Sequence, residues 1–231
     1  MKFNLCAGFV ISLLLFTACK GDAQLHEVKP AEFESLIKDS TVQLLDVRTA
    51  DEFNTDHLAH AMQADWTRKD EFARRTASLN KSKPVYLYCL SGGRSAAAAE
   101  WLNKKGYTTY NLQGGINAWK QDHKPVEQIK TATPISLAEY LSRIPMDKTV
   151  LVDIGATWCP PCKKMNPQID SLAAVHPKEF ILIKIDGGAQ TELCAQLKAT
   201  EFPTFIVYKG GKESWRFTGE TDMKNIAAQL N

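Results

Sequence analysis

Two groups of cysteines in this chain have the kinds of neighbour that make a thiol reactive. Cys89 begins the loop Cys89-Leu90-Ser91-Gly92-Gly93-Arg94-Ser95, whose two glycines allow the backbone to curl around the sulfur. Cys159 and Cys162 form a Cys-Pro-Pro-Cys pair directly after Trp158. The loop suits a single sulfur atom held as a persulfide, and the pair suits a reversible dithiol–disulfide couple. We therefore predict that the chain moves sulfur and electrons between these centres, or to a shared partner.

The loop of Cys89 lies between a strand predicted over residues 84–89 and a helix predicted over residues 95–105, with Ser95 as its expected N-cap. Open α/β sheets bind their ligands at the carboxyl ends of central strands. Inward-pointing N–H groups of the loop and the positive end of the helix would form an anion cradle, and Arg94 would add a positive charge. Such a cradle lowers the pKa of the thiol and stabilises a terminal persulfide anion on Cys89.

The Cys-Pro-Pro-Cys pair begins a helix predicted to continue over residues 162–174. Free N–H groups and the helix dipole would stabilise a thiolate at Cys159, and Cys162 would lie close enough to attack a mixed disulfide formed there. Pro160 and Pro161 suit a first helical turn, where N–H groups have no intrahelical partner. A Cys-x-x-Cys pair can instead bind zinc, but the chain has no second ligand pair, so we favour redox chemistry and predict no metal site.

Strands and helices are predicted to alternate along both halves of the chain, separated by a polar stretch with two prolines that is typical of a linker. Such alternation predicts an α/β fold in which helices cover both faces of a mostly parallel sheet. The predicted strands span residues 42–47, 84–89, 107–112, 149–154, 180–185, 202–208 and 215–219. The predicted helices span residues 30–38, 70–79, 95–105, 116–120, 137–144, 162–174, 190–198 and 223–230.

Motifs over residues 25–124 resemble the rhodanese-like family, in the family's order. They are Asp46-Val47-Arg48, Glu52-Phe53, His57-Leu58, Cys89-x-x-Gly92-x-Arg94-Ser95 and Leu112-x-Gly114-Gly115-x-x-x-Trp119. Asp46 and Arg48 are predicted to be a buried structural pair and not catalysts. The resemblance implies that Cys89 is a sulfur-carrying nucleophile supported by Arg94, loaded by a donor such as thiosulfate or a persulfide. It also implies that the substrate binds the loop residues Ser91, Gly92, Gly93 and Ser95. A fold never proves activity, so a rhodanese-like half that only docks partners stays open.

Motifs over residues 135–231 resemble the thioredoxin family, after a linker over residues 125–134. They are Val152-Asp153, Trp158-Cys159-x-x-Cys162-Lys163, Phe202-Pro203-Thr204 and the Gly210-Gly211 turn. The resemblance implies a mixed sheet flanked by helices and a redox-active disulfide between Cys159 and Cys162. It also implies that Asp153 accepts the proton of Cys162. A cis Pro203 beside the disulfide would leave backbone groups free for substrate, with Trp158 next to the site.

The first residues of the chain have the pattern of an export signal. Lys2 precedes an apolar run over residues 9–16, and Thr17-Ala18-Cys19 closes it with small residues. The run is too short for an ordinary transmembrane helix, so residues 1–18 are predicted to be a cleaved signal peptide. The stretch before and including Cys19 resembles a bacterial lipobox. It implies acylation of Cys19 and a lipid anchor on the periplasmic face of a membrane; an ordinary signal with an incidental cysteine is the alternative.

The formal net charge of +2 over 231 residues argues against a nucleic-acid partner and against binding to a membrane surface by charge. No cofactor is predicted, and Cys194 is predicted to be a buried apolar residue. The expected partners are a sulfur donor, exported proteins with disulfides and a membrane electron donor. Three functions stay open: a linked sulfurtransferase and thiol–disulfide oxidoreductase, a disulfide reductase whose first half only docks partners, and a non-catalytic redox or sulfide sensor.

Overall fold

The computed structural model describes residues 25–129 and 132–230. The predicted signal peptide and Cys19 lie outside the described residues. Within the described ranges, no helix combines the length and the apolar character needed to cross a bilayer.

The first domain is built on a five-stranded parallel sheet. Its strand order is β1-β5-β4-β2-β3, so β4, the strand that leads to Cys89, is central. The strands are β1 (His26–Val28), β2 (Gln43–Asp46), β3 (Met62–Gln63), β4 (Val85–Tyr88) and β5 (Thr109–Leu112). The helices are α1 (Pro30–Leu36), α2 (Ala50–Thr55), α3 (Lys69–Thr76), α4 (Gly93–Lys104) and α5 (Gly115–Gln121).

The second domain is built on a four-stranded mixed sheet in the order β7-β6-β8-β9. Strand β6 pairs parallel with β7 and antiparallel with β8, and β9 pairs antiparallel with β8. The strands are β6 (Thr149–Gly155), β7 (Phe180–Asp186), β8 (Thr204–Lys209) and β9 (Lys212–Thr218). The helices are α6 (Leu137–Ser142), α7 (Pro160–Val175), α8 (Thr191–Gln196) and α9 (Met223–Ala227).

Each sheet carries a hydrophobic cluster on both faces, because successive strand residues point to opposite sides. In β4, Leu87 packs with α3 and α4, whereas Tyr86 and Tyr88 pack with α1, α2 and α5. In β6, Val152 packs with α6 and α8, whereas Leu151 packs with α7 and α9. The predicted fold class, two α/β domains with helices on both faces of each sheet, is confirmed.

The structure differs from the predicted elements between residues 48 and 68. The sequence predicts no helix or strand in that polar stretch, but it contains α2 and the short edge strand β3. Strand β1 is also additional. The prediction of Ser95 as an N-cap is wrong: α4 begins at Gly93, and Gly92, at a φ of 97°, occupies the cap position. The Ser95 hydroxyl instead lies 3.0 Å from the Gly92 carbonyl and within hydrogen-bonding reach of the Cys89 sulfur.

The described parts of the linker are tied to the two domains. Glu127 pairs with His57 through two backbone hydrogen bonds of 2.7 and 2.8 Å. On the other side, the Gln190 side chain donates to the Thr133 carbonyl at 2.9 Å and accepts from the Ile135 N–H at 2.8 Å. Each end of the linker is therefore hydrogen-bonded to the domain next to it.

A buried ion pair lies at the carboxyl end of β2. Asp46 is fully buried and Arg48 is 2% exposed, and Nη2 of Arg48 lies 2.6 Å from Oδ2 of Asp46. Arg48 also donates to Asp56, which closes the segment after α2. Because both charges are removed from water, each depends on the other. The prediction that Asp46 and Arg48 are a buried structural pair is confirmed.

Arg48→Ala is expected to destabilise the protein by about 3–5 kcal/mol, because it leaves the Asp46 carboxylate buried without its cation. Urea unfolding followed by fluorescence measures this change. Arg143→Ala is the matched control, since it breaks an ion pair with Glu139 whose members are 43% and 51% exposed. Exposed pairs contribute about 0–1 kcal/mol, so comparable losses in the two variants would contradict the prediction.

Candidate functional site

Cys89 lies where β4 ends and the loop to α4 begins. The thiol is buried, and its Sγ accepts a hydrogen bond from the Gly92 N–H at 3.1 Å. Gly92 adopts a left-handed conformation there, which a residue with a Cβ rarely takes. The predicted anion cradle is present: the loop directs backbone N–H groups at the sulfur, at the amino end of a helix.

The electrostatics of the loop favour the thiolate of Cys89. Burial by itself would raise the pKa of the thiol. Hydrogen bonds from the Ser95 side chain and from the N–H groups of Ser95, Ser91 and Gly92 outweigh that effect, and the pKa falls below its ordinary value. Ser91, Gly92 and Ser95, all predicted to bind substrate, thus surround the sulfur, whereas Gly93 is exposed in the first turn of α4.

Arg94 is held at the edge of the loop by Glu52 of α2. The guanidinium donates two hydrogen bonds to the carboxylate, from Nη1 at 2.7 Å and from Nη2 at 2.6 Å. The pair lowers the pKa of Glu52 to about 2. The carboxylate also completes a capping box with Thr49 at the start of α2. The motif placed Glu52 in the family pattern, but only the structure shows that it positions the arginine beside Cys89.

The second cysteine centre is oxidised. Cys159 and Cys162 form a disulfide, with their Cα atoms 5.2 Å apart. Cys159 is the N-cap residue of α7, and its sulfur accepts from the Cys162 N–H at 3.3 Å. Pro160 and Pro161 fill the first helical positions, as their lack of an N–H allows. Both cysteines are buried, at 0% and 1% exposure.

Asp153 lies in β6 behind the disulfide, and it is 4% exposed. A Cβ on Gly155 would lie 3.3 Å from Sγ of Cys162 and 3.8 Å from Oδ1 of Asp153, so this glycine separates the carboxyl from the sulfur. A cavity of about 160 Å³ borders Asp153 and Gly155 and has room for water. Burial raises the pKa of Asp153 to about 6. The carboxyl is therefore able to exchange a proton near neutral pH.

The peptide bond between Phe202 and Pro203 is cis, as the resemblance implied. Phe202 packs against the cluster of the disulfide together with Trp158, with the two rings 5.9 Å apart. Trp158 also meets the first domain, where its ring lies 5.9 Å from that of Phe53. Trp158 and Phe202, the residue before the cis proline, thus pack at the second domain's sulfur site, and Trp158 also faces a neighbour that the sequence did not indicate.

The two sulfur centres lie in different hydrophobic clusters of the structure. Cys89 belongs to the hydrophobic cluster between the first sheet and helices α3 and α4. Cys159 and Cys162 belong to a separate small cluster with Ala156.

Cys194 takes no part in either centre. It is 4% exposed in the cluster of α6 and α8, and burial raises the pKa of its thiol to about 11. The prediction of a buried apolar residue is confirmed.

Comparison with known proteins separates the chain into the same two parts. The family described as Rhodanese-like domain matches residues 29–122, and the family described as Thioredoxin matches residues 131–231. The thioredoxin of Alicyclobacillus acidocaldarius is 32% identical over 93 residues, which cover 40% of this chain and 89% of that protein. Thioredoxin-2 of Saccharomyces cerevisiae is 37% identical over 95 residues, covering 41% and 86%.

Among solved structures, the crystal structure of a rhodanese-like domain protein from Staphylococcus aureus is 27% identical. The match covers 46% of this chain and 100% of that one, with a TM-score of 0.41.

Ser95→Ala is expected to raise the pKa of Cys89 and to slow its alkylation by iodoacetamide at pH 7 by about two- to tenfold, because one hydrogen bond to the thiolate is lost. Mass spectrometry of the Cys89 peptide over a range of pH measures both changes. Ser35→Ala, on an exposed turn of α1, is the control. An unchanged pH profile in Ser95→Ala would exclude Ser95 from the cradle.

Asp153→Asn is expected to stabilise the oxidised protein at pH 7 by up to about 3 kcal/mol. The folded state binds the Asp153 proton more tightly than the unfolded chain, so wild-type stability falls as pH rises from 3.8 to about 6. The advantage of the variant should therefore vanish below pH 3.8. Urea unfolding from pH 3.5 to 8 measures the free energy of unfolding of the variant and of wild type, and Asp147→Asn, at an exposed position, is the control. A difference in unfolding free energy that does not change with pH would contradict the raised pKa of Asp153.

Proposed function

Residues 131–231 place the chain in the thioredoxin family and residues 29–122 form a rhodanese-like domain, so we propose an exported thiol–disulfide oxidoreductase with a linked persulfide-carrying domain. The observation that carries the proposal is the Cys159–Cys162 disulfide at the amino end of α7, with a buried carboxyl of raised pKa behind it. These parts suffice for dithiol–disulfide exchange.

In the proposed reaction the Cys159 thiolate attacks a disulfide of a partner protein and releases one partner thiolate. Asp153, directly or through water in the adjoining cavity, takes the proton of Cys162. The Cys162 thiolate then attacks Sγ of Cys159, which forms the intramolecular disulfide and releases the second partner thiolate. Two electrons pass from the dithiol to the partner, and a reductant, proposed to be a membrane electron donor, must restore the dithiol.

The proposed role of Cys89 is to carry one sulfane sulfur. Its thiolate attacks the outer sulfur of thiosulfate or of a persulfide, and sulfite or a thiolate leaves. The terminal persulfide anion is then stabilised by the loop N–H groups and by Arg94. An acceptor thiol removes the sulfur, and reduction by the Cys159–Cys162 dithiol would release it as sulfide and leave a disulfide.

A second candidate is a disulfide reductase whose rhodanese-like domain only docks partners. Direct contact of the first domain with Trp158 supports this alternative. Cys89 separates the two candidates, because only sulfur transfer uses its thiol.

Cys89→Ser is expected to abolish transfer of sulfur from thiosulfate to cyanide, while reduction of a protein disulfide stays within about twofold of wild type, since the dithiol lies in a separate cluster. Cys194→Ser, which removes a buried thiol outside both centres, is the control. Unchanged sulfur transfer in Cys89→Ser would eliminate Cys89 from the mechanism.

Cys162→Ser is expected to trap a mixed disulfide between Cys159 and the partner, because the resolving thiol is missing. Non-reducing electrophoresis followed by mass spectrometry identifies the trapped protein. Adding Cys159→Ser in the same chain should prevent trapping; capture by the double variant would show that another thiol reacts.

Export and anchoring are part of the proposal, and the lipobox-like Phe16-Thr17-Ala18-Cys19 supports them. In a bacterial host, the mature chain is expected to begin at an acylated Cys19 and to enter the membrane fraction. Cys19→Ala should release it from that fraction or leave it unprocessed. Cys6→Ala, inside the predicted signal, is the control, and a mature chain that begins elsewhere would refute the anchor.

A further inference from the structure

The first domain lies against the residues that flank the disulfide. The Gln63 N–H donates to the Trp158 carbonyl at 2.9 Å, and helix α3 packs against helix α7. Pro160 borders a cavity of about 340 Å³ together with Met62 of the first domain. Pro161 borders another cavity, of about 390 Å³, which residues of helix α3 also line. Cys159, the sulfur that a partner must reach, has an exposed fraction of zero between these contacts.

The contact with Trp158 gives a hydrogen-bond acceptor to the Gln63 N–H, which lies at the free edge of the first sheet. Strand β3 is the last strand of that sheet, and it pairs with β2 on one side only. The next N–H, of Ala64, donates to the Asp46 carbonyl of β2, so the Gln63 N–H points away from the sheet. An edge N–H needs a partner, and Trp158 of the other domain supplies it. The two domains thus meet through a backbone hydrogen bond next to the disulfide.

Arg75 of α3 reinforces this contact. Its guanidinium lies 5.3 Å from the centre of the Trp158 ring. Nη1 donates to Oε1 of Gln63 at 2.7 Å, and Nη2 forms an ion pair with Glu71 at 2.7 Å. The Arg75 side chain is only 12% exposed, so its cation–π contact is shielded from water.

Charged groups at the border of the interface are complementary. Arg74 of the first domain lies 3.3 Å from Glu201 of the second, and both are about half exposed. Lys163, next to Cys162, donates to the His60 carbonyl at 3.2 Å. Contacts of this kind orient two surfaces and contribute little free energy, so the surfaces are able to separate.

We infer that Trp158, Pro160, Pro161 and Glu201 form the partner-docking surface of the dithiol, and that the first domain occupies this surface and must leave before a partner can react with Cys159. The inference extends the proposed function by naming what a partner displaces. It does not depend on which protein or sulfur compound is the natural substrate.

The contacts of the first domain define the chemistry of a partner that fits the same surface. The Trp158 carbonyl accepts from an extended strand, the Trp158 ring takes a cation, and Glu201 takes a second cation. The fitting partner is therefore an extended polypeptide segment with arginine side chains beside its disulfide.

The first experiment measures reduction of the Cys159–Cys162 disulfide in the full chain by dithiothreitol. A dithiothreitol thiolate attacks Cys159 and breaks the disulfide, and its second thiol resolves the mixed disulfide, so two electrons enter the pair. Samples are quenched with an alkylating agent, and the peptide of residues 159–162 is quantified by mass spectrometry. Arg75→Ala is expected to raise the rate of disulfide reduction by about five- to tenfold, because it weakens the contact that holds the first domain against Trp158. Arg143→Ala, on an exposed pair outside the interface, should leave it unchanged.

A charge swap separates opening of the interface from loss of fold. Arg74→Glu places a second carboxylate against Glu201 and is expected to raise the rate about two- to fivefold. Adding Glu201→Arg restores opposite charges and should return the rate to that of wild type. The Gln63 N–H should exchange with solvent faster in Arg74→Glu than in wild type, and at the wild-type rate in the double variant. Opening of the interface frees this N–H from the Trp158 carbonyl.

Equal reduction rates in wild type, Arg75→Ala and Arg74→Glu would overturn the inference, as would a Gln63 N–H that exchanges in wild type like an unprotected amide. Faster reduction in the double charge swap than in Arg74→Glu alone would also overturn it.

The second experiment tests the partner chemistry with two cystine peptides that differ only in arginine or glutamate beside the cystine. The reduced chain is expected to reduce the arginine peptide several-fold faster, and Glu201→Arg should narrow that preference. Equal rates, or a preference for the glutamate peptide, would refute the assigned surface chemistry while leaving disulfide reduction itself intact.

Discussion

Backbone N–H groups in the first turn of a helix have no acceptor within that helix, and both sulfur centres of this protein use such groups. Cys89 accepts from Gly92 just before α4, and Cys159 accepts from Cys162 in the first turn of α7. In each domain a buried strand ends, the chain turns, and a helix begins at the sulfur. The junction lowers the pKa of the Cys89 thiol, and Cys159, once reduced, would lie at the same kind of helix start.

The two buried aspartates show how the same residue type is put to different uses. Asp46 meets Arg48 in a closed ion pair, which fixes the end of β2 and the segment after α2. Asp153 has no such partner, and the nearby Lys184 is paired with Asp170 instead. Burial raises the pKa of both carboxyls, but at Asp46 the hydrogen bonds and charge of Arg48 oppose that rise, whereas burial brings the pKa of Asp153 to about 6. One carboxylate is therefore structural, and the other is suited to moving a proton.

Hydrogen bonds of the linker and contacts of the interface hold the two domains in a defined arrangement. Glu127 is hydrogen-bonded to His57 of the first domain, and Thr133 and Ile135 are bound by Gln190 of the second. A short connection between two anchored ends keeps the domains at high effective concentration after they separate. The interface contacts include one backbone hydrogen bond, one lysine–carbonyl hydrogen bond, the ring and cation–π contacts of Trp158, and one half-exposed ion pair. A set of this size is suited to reversible opening.

Sequence alone determined the parts that depend on local pattern. The order of most strands and helices, the positions of the reactive thiols and the buried pair of Asp46 and Arg48 follow from apolar periodicity, motif spacing and the chemistry of helix starts. Strand β3 and helix α2 were missed because they are short, and a two-residue strand has no period to detect. Only the tertiary structure decided that Gln63 and Arg75 meet Trp158, that Glu52 holds Arg94, and that the two sulfur centres belong to separate hydrophobic clusters. These features join residues distant in the chain, and their energies come from packing and charge across space, which local sequence does not encode.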